Sequence, residues 1–205
     1  ATSGRGDSLM RFDLQLIPNW IRSKARVLDL GCGDGSLLCK LIAEKNVDGL
    51  GIEIDEDHIT ECIDKGLNVV EHDLNQGLAT FRENSFDVVV MAHALQTLRD
   101  PHLVINEMLR VGRECIVTFP NFAHWRCRWH LGQQGRMPVS KFMPYNWYDT
   151  PNIHFCTVKD FEALCEDNGI RILASTVVAD DSSESTMGRL MPNLFGVTAV
   201  YHISR

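Results

Sequence analysis

The stretch Val27-Leu28-Asp29-Leu30-Gly31-Cys32-Gly33-Asp34-Gly35 constrains this chain more than any other. A β-rich run ends in alternating glycines and an apolar-periodic run follows at once, so the glycines form a turn from strand into helix. Without Cβ atoms at 31, 33 and 35 the backbone can turn sharply and approach a ligand closely. Dinucleotide-binding turns place the third glycine five residues after the first. Here it comes four after, and Ser36 holds the fifth position, which disfavours NAD.

The strand-then-helix rhythm continues to about Thr118. Strands are expected over 26–30, 47–53, 67–71, 86–91 and 115–119, with helices over 36–44, 58–65 and 101–110 between them. The run Phe86 to Met91 is apolar without a break after Asp87, as in a strand buried on both faces. Thr157, with Asp160 three residues on, reads as a capping box for a helix that stops at Gly169. Two alternating runs, 170–179 and 196–204, then suggest an antiparallel hairpin at the sheet edge, joined by the polar loop 180–186 and an apolar piece over 190–194. The expected fold is α/β and Rossmann-like: one domain over 1–205 with a mainly parallel seven-stranded sheet, an antiparallel edge strand and an inserted cap. Residues 1–9, polar and ahead of Met10, read as an appended stretch outside that fold.

The cap is residues 119–151, which hold eight of the sixteen aromatics and four of the seven prolines. Such a composition suits neither a crossover helix nor a disordered linker. Trp125, Arg126, Arg128 and Trp129, followed by Arg136, Lys141, Tyr145, Trp147 and Tyr148, have the character of interface anchors. The same residues also suit a lid over the sheet or, third, a single-stranded nucleic acid. The net charge of −7 argues against general nucleic-acid binding. Residues 120–150 nevertheless carry four basic residues against one acid, a basic cap on an acidic body. That polarity fits a specific acidic protein surface or an anionic ligand. Seven cysteines without a C-x-x-C pair, no membrane-length apolar run and no export signal point to a cytoplasmic protein with reduced thiols and no membrane contact. His124, His130 and His154 with Cys127 and Cys156 do not reproduce paired zinc-ligand spacing, so no metal site is expected.

Eighteen residues past Gly35, Glu53 ends the second strand beside the glycine turn, where a carboxylate can accept both hydroxyls of a ribose. The alternative for Glu53 is a solvated strand-end acid. After the third strand, Asp73 can accept from an adenine amino group and Leu74 can pack on the ring, although Asp is also a common turn residue. Methyl transfer needs an in-line nucleophile and often a base at a strand end. His93 is the candidate base, with a satisfied rim histidine as its alternative, and Asn121 can orient a polar substrate. No Asn-Pro-Pro-Tyr sequence is present.

The segments VLDLGCGDG, GIEID, EHDL, FDVVV followed by AHALQTL, and LVINEMLRVGRECIVTF together resemble the class I S-adenosylmethionine-dependent methyltransferase fold. The resemblance implies S-adenosylmethionine or S-adenosylhomocysteine as cofactor: the glycine loop near the methionine moiety, Asp29 below it, Glu53 on the ribose, Asp73 near the adenine and His93 by the sulfonium. The implied cofactor set is Asp29, Gly31, Cys32, Gly33, Asp34, Gly35, Glu53, Ile54, Asp73, Leu74 and His93, with Cys32 also explained by packing alone. RMPV, PYNWYDTPNIHFCT, KDFEALCEDNGI and MPNLFG, with FPNFAHWR, resemble the MetW family of bacterial methionine-biosynthesis proteins from about Met10 onward. That likeness implies a protein partner, homoserine O-acyltransferase MetX, supported in its activity, and the anchor-like residues of the cap are the expected contact. The reading is therefore an activating subunit that senses S-adenosylmethionine; the alternative is an active methyltransferase on a small polar or carboxylate substrate.

Overall fold

The computed structural model describes residues 13–139, 144–179 and 186–205. Residues 1–9, Lys141 and most of the polar loop 180–186 lie outside the described residues. A helical turn over 13–16 and a 3-10 turn, Ile17–Trp20, lead into β1 (Arg26–Leu30). There follow α1 (Ser36–Lys45), β2 (Asp48–Glu53), α2 (Glu56–Asp64), β3 (Asn68–Glu71), β4 (Phe86–Ala92), α3 (Pro101–Val111) and β5 (Gly112–Pro120). The rest comprises α4 (Trp125–Gln134), α5 (Val158–Asp167), β6 (Arg171–Val178), the short helices α6 (Thr186–Leu190) and α7 (Pro192–Phe195), and β7 (Thr198–Ser204).

The seven strands order as β3-β2-β1-β4-β5-β7-β6, parallel from β3 to β5, with β7 antiparallel to both of its neighbours. The expected hairpin does close that edge, but the reversed strand β7 is slotted one place in, between β5 and β6. Alternation along β4 shows how both faces are covered. Val88 and Val90 join Ile17, Ile21, Leu38 and Leu41 on one side, while Val89 and Met91 join Ile105, Met108, Phe161 and Tyr201 on the other. Phe119, Phe161 and Tyr201 form an aromatic knot in the second layer, with centroids 4.7 to 5.9 Å apart.

Local chemistry sets the boundaries. Asp55 Oδ1 accepts from the Asp57 and His58 amides, starting α2 two residues earlier than apolar spacing predicts. Thr157 and Asp160 form the expected capping box of α5. β5 starts earlier than expected because it leaves α3 with no loop; Arg113 and Glu114, whose polarity hid the strand, lie at its outer end, where Glu114 Oε2 bonds His202 Nε2 at 2.9 Å.

β1, β2 and β3 step one way across the sheet and β4 and β5 the other. The carboxyl ends of β1 and β4 thus flank the point where strand order reverses, where open α/β sheets bind ligands. Both the glycine loop and His93 emerge there.

Candidate functional site

Gly31, Gly33 and Gly35 adopt φ of 71°, 54° and 75°, the left-handed region that side chains disfavour. The Gly31 and Cys32 amides both donate to the Ile52 carbonyl, at 2.8 and 3.0 Å, so the loop hangs on the end of β2. The outer glycines answer to packing: a Cβ on Gly35 would overlap Leu67 Cδ1, and one on Gly31 would come within 3.2 Å of Ala94 Cβ. At Gly33 a Cβ would meet nothing within 4 Å. Space is open on that side of Gly33, while its amide donates to Glu53 Oε2 and its carbonyl accepts from Cys62 Sγ at 3.2 Å.

Cys32 packs beneath this loop. A Cβ on Gly51 would meet its Sγ at 2.6 Å, and Cys62 Sγ lies 3.9 Å away. Burial pushes both thiols up, so Cys32 is neutral and inert.

The carboxylates around the loop have distinct environments. Asp29 is 1% exposed, and its Oδ1 has no hydrogen-bond partner among the described residues. Burial, reinforced by the charge of Glu53, raises its carboxyl to about 7. A lone buried acceptor directly before a glycine loop calls for a donor or a cation. Glu53 is held by three backbone amides: Gly33 N donates to Oε2 at 2.8 Å, while Ile54 N and Asp55 N donate to Oε1 at 2.7 and 3.1 Å. Three of its roughly four acceptor sites are thereby taken, so gripping both ribose hydroxyls requires at least one amide to let go. Ile54 beside it is 58% exposed, an apolar surface available to a flat ring.

Other expected contacts are committed elsewhere. Asp34 accepts from Ser36 Oγ and N and from Lys65 Nζ, the last at 2.9 Å. Burial works against ionisation there, but those hydrogen bonds prevail and lower the carboxyl to about 2. It staples the loop to the end of α2. Asp73 starts a short 3-10 turn, its Oδ1 accepting from Asn75 N and Nδ2 at 2.9 Å, and those bonds lower its carboxyl. Leu74 is buried in the main core, so its side chain is packing rather than a platform for adenine.

Asn121 also departs from its expected role. It is buried; Nδ2 donates to the carbonyls of Gly196 and Asn193, while Oδ1 accepts from the amides of Ala123 and Val158. Both protons and both lone pairs are consumed in joining the end of β5 to α5 and the approach to β7. No capacity remains for orienting a substrate.

His93, directly after β4, stands at φ 55° and its Nε2 lies 2.5 Å from Asp13 Oδ2. Asp13 is fully buried and is the residue that sequence reasoning missed; 80 positions separate the pair, and no local pattern connects them. In the cap, Trp129, Tyr148 and Trp147 are 62%, 70% and 74% exposed, which tells against a lid that buries its own aromatics. Arg126 lies over the Trp125 ring and Arg128 Nε donates to the Ala123 carbonyl at 2.6 Å.

The family model for "Methionine biosynthesis protein MetW" matches residues 11–203. The chain belongs to the MetW family. A "Bifunctional methionine biosynthesis protein MetXA/MetW" from Rhodopirellula baltica is 32% identical over 208 residues, covering 97% of this chain. The chain spans 33% of that relative's length. Among solved structures, a SAM-dependent methyltransferase from Archaeoglobus fulgidus superposes with a TM-score of 0.70 at 18% identity, covering 97% of this chain and 95% of the other. One from Mesorhizobium loti gives 0.67 at 14% identity, covering 98% and 100%. These likenesses establish the class I S-adenosylmethionine methyltransferase fold for this MetW-family chain.

Proposed function

We propose that this chain is a subunit of methionine biosynthesis that docks on homoserine O-acyltransferase MetX, activates it, and binds S-adenosylmethionine or S-adenosylhomocysteine at its glycine loop, in the cytoplasm. The observation that carries the partner is the Rhodopirellula baltica relative, whose name joins MetXA to MetW in one protein. Fusion keeps two modules at high effective concentration, which serves proteins that work in contact. The exposed aromatics of the cap supply a surface of the right kind, large in area and rich in Trp and Tyr.

The cofactor reading is supported by three local facts: the open space at the Gly33 Cβ position, an Asp29 Oδ1 without a partner among the described residues, and the Glu53 carboxylate held against the loop by the Gly33 amide. Asp29 would face the cationic methionine end and Glu53 the ribose. When bound, S-adenosylmethionine would supply an electrophilic methyl group and, as the pathway's downstream product, a regulatory signal.

Co-purification with the acyltransferase tests the partner reading. A stable complex at micromolar concentration is expected, and no association there overturns it. Calorimetry with S-adenosylhomocysteine tests the loop: binding at least tenfold weaker in Glu53→Ala is expected, whereas no binding to the wild type would leave the loop as a packing device. A second reading, methyl transfer to a small polar substrate, is favoured by the contact between Asp13 and His93.

A further inference from the structure

We propose that Asp13 and His93 form a proton-accepting couple beside the glycine loop, in which His93 Nδ1 takes the proton of a hydroxyl- or amino-bearing small molecule and Asp13 positions the ring. The proposal rests on the reading that the loop takes S-adenosylmethionine, which gives a deprotonated acceptor something to attack.

The geometry assigns the ring's protons. In the proposed couple Asp13 Oδ2, 2.5 Å from Nε2, is the acceptor, which puts the ring proton on Nε2 and the lone pair on Nδ1. Among the described residues Nδ1 has no partner, and the side chain keeps 15% of its surface open. The buried partner thus holds one nitrogen and leaves the other for a visitor.

The backbone is clamped as firmly. At φ 55° a non-glycine residue is in the left-handed region, where its Cβ is strained against the backbone. Three contacts maintain it: the His93 amide donates to the Thr118 carbonyl and to Oγ1, and the His93 carbonyl accepts from Gln96 Nε2 at 2.8 Å. Strain so thoroughly supported is characteristic of functional positions. Ala94, the next residue, lies against Gly31, which sets the ring's residue at the rim of the loop.

The surroundings also select the ligand. Asp13 Oδ1 and Gln96 Oε1 are both buried, both acceptors and both unpartnered among the described residues, and each belongs to a side chain bonded to His93. Such atoms call for donors. A carboxylate brings none and arrives ionised at neutral pH, with no need of a base. A hydroxyl or amino group brings a donor and must lose a proton to become a nucleophile. In the step, the O–H or N–H proton moves to Nδ1 and the bonding pair stays on oxygen or nitrogen. The ring becomes an imidazolium whose charge Asp13 offsets, and the proton then passes to solvent.

Long-range proton–nitrogen correlation spectra of the 15N-labelled full chain at pH 8.5 read which nitrogen is protonated, without any cofactor. The expected result is the Nε2–H tautomer in the wild type, a mixture of tautomers in Asp13→Ala, and restoration in Asp13→Glu. A proton on Nδ1 in the wild type, or an unchanged tautomer in a folded Asp13→Ala, overturns the couple. Diethyl pyrocarbonate provides a second measurement on unmutated protein: it should acylate His93, and saturating S-adenosylhomocysteine should slow that at least tenfold. Binding by calorimetry without protection overturns the proposal. Absence of binding sinks the cofactor reading instead, while the tautomer still judges the couple.

Discussion

Around the glycine loop nearly every atom answers to a neighbour within the chain, whereas the cap turns its largest side chains outward. A methyl group added at Gly35 or Gly51 would collide with Leu67 or Cys32; removing the Trp147 ring would expose little that is not already in water. The loop's residues are fixed by internal fit, except that a Cβ at Gly33 would meet nothing and Asp29 Oδ1 has no hydrogen-bond partner among the described residues. The exposed cap aromatics Trp129, Trp147 and Tyr148, unlike the buried Phe119, are not fixed by this chain's core. Residue types that look equally purposeful in sequence therefore divide into those held by the fold and those left in water.

Variants on the two sides sharpen this contrast. The largest effect belongs to Asp29. The unfolded carboxyl ionises near 3.8 and the folded one near 7, so between those values only the native state holds the proton. Stability then falls as pH rises from about 4 to 7 and levels off above. Asp29→Asn removes that loss, gaining up to about 4 kcal/mol over wild type at pH 8 and nothing at pH 4 in urea titrations, while weakening S-adenosylhomocysteine binding. A constant difference across pH would show that the carboxyl is not held protonated.

Next comes Asn121→Leu, which leaves several buried backbone groups unpaired and should cost about 3 kcal/mol by denaturant unfolding. A loss below about 1 kcal/mol would return Asn121 to the ligand-binding residues. Gly35→Ala should cost about 2–3 kcal/mol from overlap with Leu67 and Cys62 at positive φ. Gly33→Ala, with empty space around it, should cost only about 1 kcal/mol in stability yet reduce S-adenosylhomocysteine affinity at least tenfold. Equal stability losses at 33 and 35 would erase the distinction between fit and gap. Smallest in stability, within about 0.5 kcal/mol, are Trp129→Ala and Trp147→Ala. Their effect should appear as at least tenfold weaker association with the acyltransferase, and a drop in melting temperature without that loss would make the cap part of the core.

The parallel sheet was legible because its strands are apolar runs between glycine and acidic punctuation, a pattern that Val27 to Phe119 displays openly. The capping box at Thr157 was legible for the same local reason. What escaped was set by distance or by neighbours. Asp13 meets His93 across 80 residues. Leu74 turned inward and Asn121 was absorbed by carbonyls of residues 193 and 196, choices made by tertiary packing and invisible to spacing. Glu53 stands out in the sequence by its position at the end of β2, but its three amide partners depend on how the glycine loop folds back over it.

The order of the sheet also has a bearing on synthesis. β6 and the outer edge of β5 both hydrogen-bond to β7, and to no other strand on those sides. On the ribosome, five parallel strands can assemble while β5 still presents an open, strongly apolar edge, and β6 waits beside nothing. Only when residues 198–204 emerge and slide between them is that edge closed. Nascent chains stalled just before this point should be the ones that chaperones hold and that pair wrongly with one another.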